Sequence, residues 1–242
     1  CNFLFMANSY FCFKHFRIEQ SNCAMKVGTD GVLLGAWATV KSAKSCLDIG
    51  TGTGLLALMV AQRNSDATIV AIELDDEAVI QAKENVEASP WPNRIEVVHS
   101  DVRSYCSDKT FDLIISNPPY FNASLKSADT HRTLARHTSA LSYNELLSCV
   151  RNLLAPQGLF SLILPYDVCT EFIELAKSHH LYCSRLCKVM PLPNANPKRA
   201  LMEFSFIDTD TILEELVIES GGRHCYSAEY KELTKEFYLD KL

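Results

Sequence analysis

The chain has no apolar run long enough to cross a membrane. Of its 242 residues 48% are hydrophobic, but no stretch approaches the roughly 20 consecutive apolar residues that a spanning helix needs. The apolar residues from Phe3 to Met6 lack the charged front and the length of a signal peptide. The numbering begins at Cys1, and Met6 is a candidate start. We expect a cytoplasmic protein with one large globular domain and modest extensions.

Paired cysteines are also missing, although the chain has ten cysteines. No C-x-x-C pair occurs, and Cys183 and Cys187, four residues apart, fall inside a predicted strand. We therefore expect reduced thiols, several of them acting as small hydrophobic core residues, and no metal site.

Positive charge is scarce. There are 23 Lys and Arg against 29 Asp and Glu, which gives a formal net charge of −6. A negative overall field disfavours binding to a polyanion, so a nucleic-acid partner needs local basic patches. The acidic segment Asp208 to Glu219 would then have to face away from that partner.

A buried strand that ends abruptly is the most informative stretch of the sequence. After Asn117 come two prolines, which cannot donate to a sheet ladder, so the chain leaves the sheet there. The Asn117 side-chain oxygen and the Pro118 carbonyl can accept both hydrogens of a planar amino or amide group, and Tyr120 can stack on it. The stretch favours N-methylation, although an ordinary surface loop can have the same residues.

Glycine is absent from one position where a dinucleotide-binding loop requires it. A predicted strand, Ser45 to Ile49, runs into Gly50-Thr51-Gly52-Thr53-Gly54 and then into a helix, Leu55 to Arg63. A dinucleotide fingerprint needs its third glycine at position 55, which is leucine here. The spacing instead resembles the first motif of methyltransferases that use S-adenosylmethionine (SAM).

Polar side chains also follow the neighbouring predicted strands. One strand ends in Glu73, which can hydrogen-bond ribose hydroxyls, and the next leads to Asp101, which resembles the adenine-contacting acid of SAM methyltransferases. With Asp48 and Asn117, four polar residues fall at the carboxyl ends of successive strands. Ligands of open α/β sheets bind at these ends, so we expect the four residues to share one site.

Two further segments flank this site. Thr29 or Asp30 can cap a helix predicted from Val32 to Ala38, whose N-terminal amides suit an anion such as an amino-acid carboxylate. The polar stretch Phe121 to Ser139 has few apolar anchors, and loops of this length are usually functional or disordered. We expect it to clamp the substrate.

The order of elements predicts an α/β fold. Most strands alternate with helices, which favours a parallel sheet, but the last two have no helix between them and should pair antiparallel. This layout resembles Rossmann-like class I SAM-dependent methyltransferases, with a seven-stranded, mostly parallel sheet and a reversed edge hairpin. The predicted strands are 45–49, 68–72, 94–99, 112–116, 159–164, 181–190 and 199–207.

The chain as a whole resembles the bacterial tRNA (adenine-N6)-methyltransferases that modify adenosine 37, beside the anticodon, of valine tRNA. The resemblance rests on five stretches: Phe13 to Phe16, Ala24 to Trp37, Leu47 to Gly50, Asn117 to Tyr120, and Ala135 to His137. It implies SAM as cofactor and valine tRNA as substrate. We also expect a monomer, with an N-terminal segment 1–40 closing over cofactor and substrate, a methyltransferase domain 41–210 and a C-terminal extension 211–242.

The expected site residues form three sets. The catalytic residues are Asn117, Pro118 and Tyr120. The cofactor-binding residues are Thr29, Asp30, Asp48, Gly50, Gly52, Glu73, Asp101 and Asn117. The RNA-contacting residues are Lys14, Arg132, Arg136, His137, Lys198 and Arg199.

Alternatives to this function stay open at the level of the sequence. The two acceptors on Asn117 and Pro118 would also bind a glutamine amide of a protein, or the amino group of another RNA base. A Rossmann-like module that only binds a nucleotide is a third reading, but pure binding does not need paired acceptors at the mouth of the site.

Overall fold

The computed structural model describes residues 9–23, 25–118, 141–222 and 224–239. Their largest element is an eight-stranded sheet with the strand order β10-β8-β9-β7-β6-β3-β4-β5. Strand β9 is antiparallel to both β7 and β8, and the other neighbours are parallel. The strands are β3 (Ser45–Ile49), β4 (Thr68–Glu73), β5 (Ile95–His99), β6 (Phe111–Ser116), β7 (Leu154–Pro165), β8 (Tyr182–Met190), β9 (Arg199–Ser205) and β10 (Ile212–Val217).

Helices cover both faces of the sheet, because the apolar side chains of each strand alternate between the two faces. In β6, Leu113 and Ile115 pack in one core with residues of α1, α2, α3 and α6, while Ile114 packs in a second core with residues of α4 and α5. Because successive side chains of a strand point to opposite faces, an apolar strand needs cover on both sides. The helices are α1 (Thr29–Trp37), α2 (Leu55–Arg63), α3 (Asp76–Glu87), α4 (Tyr143–Leu153), α5 (Cys169–Ser178) and α6 (Ala228–Thr234).

The fold class predicted from the sequence is confirmed, and the sheet differs from the prediction in one strand. Strand β10 lies in the segment that the sequence analysis treated only as an acidic patch. It pairs parallel with β8, so the sheet has eight strands rather than seven and the β8–β9 hairpin is not its edge. The strand was missed because Ile212 and Leu213 are exposed and only Leu216 is buried, so its apolar pattern is weak.

An N-terminal hairpin, β1 (Tyr10–Cys12) and β2 (Arg17–Glu19), packs beside the C-terminal helix. Phe13 stacks on Tyr238 and Phe11 meets it edge-on, with ring centroids 6.2 and 6.1 Å away, and the Lys14 amide donates to the Phe237 carbonyl at 2.8 Å. The end of the chain, whose role the sequence did not indicate, therefore holds the hairpin in place.

Helices α1 and α2 cross closely at the start of the site. A Cβ on Gly31 would lie 2.9 Å from a Leu55 methyl group, and one on Gly35 would overlap the end of the Met59 side chain, so a larger residue at either position would have to displace these side chains. The close crossing brings the first turn of α1 beside the glycine loop. In the described ranges no helix is long and apolar enough to span a membrane.

Candidate active site

The glycine loop between β3 and α2 has a backbone that only glycine adopts without strain. Gly50, Gly52 and Gly54 have φ angles of 71°, 56° and 84°, in the left-handed region. The amides of Gly50 and Thr51 both donate to the Ile72 carbonyl, at 2.9 and 3.0 Å. The loop is thereby tied to the end of β4, the next strand of the sheet.

Glu73 holds the other side of this loop. Its carboxylate accepts the Gly52 amide at 2.9 Å and the amides of Leu74 and Asp75 at 2.8 and 3.0 Å. The side chain is half-buried at the carboxyl end of β4. It therefore joins the glycine loop to the loop after β4, in the position expected for an acid that hydrogen-bonds ribose.

Asp48 is fully buried below the loop and does not line the cavity. Its Oδ2 accepts the Thr51 hydroxyl at 2.5 Å and the Ala57 amide at 3.2 Å, while Oδ1 has no hydrogen-bond partner among the described residues. Burial raises the pKa of Asp48 to about 7, and the negative charge of Glu73 acts in the same direction. Asp48 thus acts on the site by holding the glycine loop to α2.

Asn117 stands where β6 ends. The preceding residue, Ser116, donates its hydroxyl to the Ile49 carbonyl at 2.9 Å, which fixes the ends of β6 and β3 together. The Asn117 Oδ1 atom is buried and has no hydrogen-bond partner among the described residues, and Pro118 is buried beside it. A buried acceptor without a partner costs free energy, so it marks a place where a ligand donor is needed.

A cavity of about 150 Å³ opens beside these groups. Its walls are the segment before α1, the glycine loop, the start of α2 and Asn117: Met25, Lys26, Val27, Gly28, Asp30, Gly31, Gly50, Thr51, Gly52, Thr53, Leu55, Leu56 and Asn117. A larger open groove of about 600 Å³ lies at the opposite ends of the strands, next to Ser45, Thr68 and Ile95, and contacts none of the predicted site residues. The smaller cavity is the candidate active site, because ligands of open α/β sheets bind at the carboxyl ends of the strands.

The capping predicted for α1 is wrong. The helix begins at Thr29, three residues before the predicted start, its N-cap is Gly28, and no side chain caps it. Thr29 is exposed and outside the cavity wall, whereas Asp30 is in the wall and its Oδ2 lies 2.9 Å from Arg199 Nε. The cap was misjudged because Gly28 already has the extended φ and ψ that an N-cap needs.

Asp101 follows β5 and is held by a neighbouring arginine. Arg103 Nη2 lies 2.6 Å from Asp101 Oδ2, and Nε donates to both carboxylate oxygens at 2.9 Å. These hydrogen bonds lower the pKa of Asp101 below its ordinary value. Arg103 also reaches Glu145 in the first turn of α4, at 3.3 Å. An adenine contact at Asp101 would have to share the carboxylate with this guanidinium.

The predicted RNA contacts are only partly described. Lys14 lies in the N-terminal hairpin, Lys198 is exposed just before β9, and Arg199 is half-buried against Asp30. Tyr120, Arg132, Arg136 and His137 lie outside the described residues, as does the whole of the predicted substrate-clamping loop, Phe121 to Ser139. Of the two basic residues before and in β9, Lys198 is therefore the better placed to meet a ligand from solvent.

Comparisons with known proteins decide the family. Residues 24–157 match the family model described as "Methyltransferase small domain". The tRNA1(Val) (adenine(37)-N6)-methyltransferase of Bacteroides thetaiotaomicron is 53% identical over 235 residues, 97% of this chain and 99% of that protein. The protein of the same name from Pseudoalteromonas translucida is 48% identical, over 96% of this chain and 99% of its own. The chain belongs to the tRNA1(Val) (adenine(37)-N6)-methyltransferase family.

Solved structures support the fold of this methyltransferase family. A predicted O-methyltransferase of Agrobacterium tumefaciens superposes with a TM-score of 0.66 at 20% identity, covering 86% of this chain and 96% of that one. A methyltransferase of Pyrococcus furiosus gives 0.51 at 22% identity, covering 69% and 77%. Within the described part of this methyltransferase no group of three or more His, Cys, Asp or Glu is placed to hold a metal ion.

Two polar side chains of this methyltransferase that hold the N-terminal segment were not predicted from the sequence. Asn85 and Gln81 of α3 are each only 1% exposed and reach residues between Glu19 and Asn22. The sequence carries a signal for them, since both lie on the buried stripe of α3, together with Ala78, Ala82 and Val86. A polar side chain on the buried face of a helix needs a hydrogen-bond partner, and this need is the signal that the two residues carry in the sequence.

Proposed function

We propose that this chain transfers a methyl group from SAM to the N6 amino group of adenosine 37, beside the anticodon, in valine tRNA. The observation that carries the proposal is the buried Asn117 Oδ1, which lacks a hydrogen-bond partner among the described residues and stands in the wall of the cavity. The names of relatives that are about half identical over nearly the whole chain select the substrate.

The cavity wall and the acids beyond it, Glu73 and Asp101, fit a SAM molecule in their chemistry. Glu73 at the end of β4 suits ribose hydroxyls, and the glycine loop lets a ligand approach the backbone closely. The first turn of α1 has no side-chain cap, so its amides suit the carboxylate of an amino acid. Asp101 is the proposed adenine contact, and Asp48 supports the loop from below. Bound SAM supplies an electrophilic methyl group on a sulfonium.

Asn117 and Pro118, at the end of β6, orient the amino group that is methylated. An exocyclic amino group is weakly nucleophilic, because its lone pair is delocalised into the ring. Asn117 Oδ1 accepts one of its hydrogens and the Pro118 carbonyl accepts the other, which favours a more tetrahedral nitrogen. Tyr120 stacks on the base, a type of contact worth about 1 to 3 kcal/mol in single-strand binders. This arrangement holds the nucleophile without a strong base or a metal ion.

The RNA is held by local positive charge in an acidic protein. The proposed contacts are Lys14, Arg132, Arg136, His137, Lys198 and Arg199. The acids of β10 do not oppose this arrangement, because Glu214 is paired with Arg185 and Glu215 lies 3.9 Å from Lys188 at the far end of the sheet order. A tRNA substrate implies action in the cytoplasm, and we propose a monomer in which residues 1–40 close over the site, 41–210 form the catalytic domain and 211–242 extend it.

Labelled SAM and total tRNA from cells that lack the enzyme test this function. We expect label in N6-methyladenosine, confined to valine tRNA and lost when adenosine 37 is replaced. In the same assay Asn117→Ala should reduce transfer by orders of magnitude, because one acceptor for the amino group is gone, while SAM binding largely persists. Glu73→Ala should mainly weaken SAM binding.

Other products would reject the assignment in distinct ways. Label in another nucleoside would point to a different RNA base, and label only in a protein fraction would point to an amide substrate. Near-normal turnover of Asn117→Ala would show that the proposed acceptor role is wrong.

A further inference from the structure

A single buried amide on α3 joins the glycine loop to the N-terminal segment that precedes the opposite wall of the cavity. Asn85 is 1% exposed. Its Nδ2 donates to the Thr53 carbonyl at 2.9 Å and to the Glu19 carbonyl at 2.8 Å, and its Oδ1 accepts the Glu19 amide at 2.8 Å. Both donors and one acceptor are thus used, on two segments that are 34 residues apart in the chain.

The hydrogen bond from Asn85 to the Thr53 carbonyl is a second side-chain contact that fixes the glycine loop. Thr53 lies between Gly52 and Gly54 and is itself in the cavity wall. Glu73 accepts the Gly52 amide from one side, and Asn85 donates to the Thr53 carbonyl from the other. Because three glycines make this backbone permissive, its conformation depends on such side-chain contacts.

The Glu19 contact reaches the opposite wall of the cavity. The next residue, Gln20, is buried, and its Oε1 accepts the Val27 amide at 2.8 Å. Val27 and the residues around it, from Met25 to Gly28, form the wall that faces the glycine loop. The route from α3 to this wall therefore runs through Asn85, Glu19, Gln20 and Val27.

We propose that Asn85 is a positioning residue for the cofactor cavity, which sets the separation between the glycine loop and the N-terminal wall through Thr53 and Glu19. This inference rests on the proposed SAM-binding function. If Asn85 has this role, the N-terminal hairpin contributes to the cofactor site, although it is remote in sequence from the glycine loop. Asn85 touches neither reacting group, so its effect should be on cofactor binding rather than on the chemical step.

Gln81 offers a matched control on the same helix. It is equally buried, one turn earlier, and its Oε1 accepts the Asn22 amide at 3.4 Å and the Ser21 hydroxyl at 3.5 Å. Its amide nitrogen donates to Glu84, also on α3, at 3.0 Å. Gln81→Ala therefore loosens the N-terminal segment without removing a contact to the glycine loop.

The test is calorimetric titration with S-adenosylhomocysteine, the demethylated product, which has no net charge and so reports geometry without a sulfonium. We expect Asn85→Ala to raise its Kd about tenfold at unchanged stoichiometry per folded molecule, with Gln81→Ala within about twofold of wild type. Asn85→Asp should weaken binding at least as much, because it places a carboxylate oxygen against the Thr53 carbonyl. In turnover, Asn85→Ala should raise the KM for SAM and leave the KM for tRNA unchanged.

A purely structural role predicts a different pattern. It would lower the Tm and the number of binding-competent molecules but leave the Kd of the folded fraction at the wild-type value, and this result would overturn the proposal. Equal weakening by Gln81→Ala would also overturn it. If Asn85→Ala does not fold, the same measurements are made on Asn85→Ser, which keeps one donor, and the same outcomes support or overturn the proposal. Failure of the wild type to bind the product would overturn the SAM function together with this inference, whereas a different methylated nucleoside would leave the inference intact.

Discussion

At the scale of single residues, the most unusual group is the carboxyl of Asp48. It is completely buried, one of its oxygens has no hydrogen-bond partner among the described residues, and its pKa is raised from an ordinary 3.8 to about 7. A carboxyl in this setting binds a proton in the folded state at pH values where the unfolded chain has already released it.

The sign of the pH dependence follows from this difference. Between about pH 4 and pH 7 the folded state binds more protons at Asp48 than the unfolded state does, so this group's contribution to stability falls as pH rises through that window. Asp48→Asn has no proton to lose. We expect its stability relative to wild type to increase by on the order of 1 to 3 kcal/mol from pH 5 to pH 8. Urea denaturation of both proteins at several pH values measures this, and a constant difference would contradict it.

At the scale of elements, β10 is tied to α1 through a half-buried arginine of β8, Arg185. The Arg185 guanidinium stacks on Trp37, 3.6 Å from its ring centroid, and lies 3.0 Å from Glu203 and 3.3 Å from Glu214. Glu214 in turn accepts the Trp37 indole N–H at 2.7 Å. These contacts hold the C-terminal end of α1 against the sheet, and so help to position the first turn of α1, which lines the candidate active site.

Two neighbouring glutamates of β10 test this docking. We expect Glu214→Ala to lower the free energy of unfolding by about 1 to 2 kcal/mol, because it leaves the Trp37 indole N–H without an acceptor and removes the carboxylate paired with Arg185. Glu215 is 68% exposed in its side chain and 3.9 Å from Lys188, so Glu215→Ala should change stability by less than about 0.5 kcal/mol. Urea midpoints of the two variants measure the contrast. Equal effects would mean that β10 is not anchored through Glu214.

At the scale of the whole molecule, an acidic enzyme must bind an acidic substrate. The formal net charge is −6, yet Lys198 stands exposed beside Arg199, whose guanidinium is paired with Asp30 in the cavity wall. This places a positive side chain near the mouth of the site, where a bound tRNA would bring its phosphates.

Salt dependence reports these phosphate contacts directly. We expect tRNA affinity to fall steeply with salt, with a log–log slope of about 0.7 to 0.9 for each phosphate contact, and affinity for S-adenosylhomocysteine to change little. Lys198→Ala should lower the slope by about 1, whereas Lys177→Ala, which removes an exposed lysine paired with Glu174 on α5, should leave it unchanged. Fluorescence anisotropy over a series of KCl concentrations measures both slopes. An unchanged slope for Lys198→Ala would remove that residue from the interface.

Much of the site could be read from the sequence, because its signals are local. The strand Ser45–Ile49 and the helix Leu55–Arg63 have the predicted bounds, and glycines between them predict the left-handed turns that the loop adopts. The prolines after Asn117 end β6 where predicted, at Ser116. Family membership follows from the same local runs.

The contacts between distant segments required the tertiary structure. Burial decides that Asp48 supports the loop from below, and the fold decides that Asp30 meets Arg199, 169 residues away. In the sequence, Asn85 is one polar residue of an amphipathic helix. Only the fold shows that α3 places it between Glu19 and Thr53. Hydrophobic periodicity, caps and turn residues act over a few positions and therefore appear in the sequence, whereas a side chain's partner and its desolvation depend on how the sheet brings remote strands and helices together.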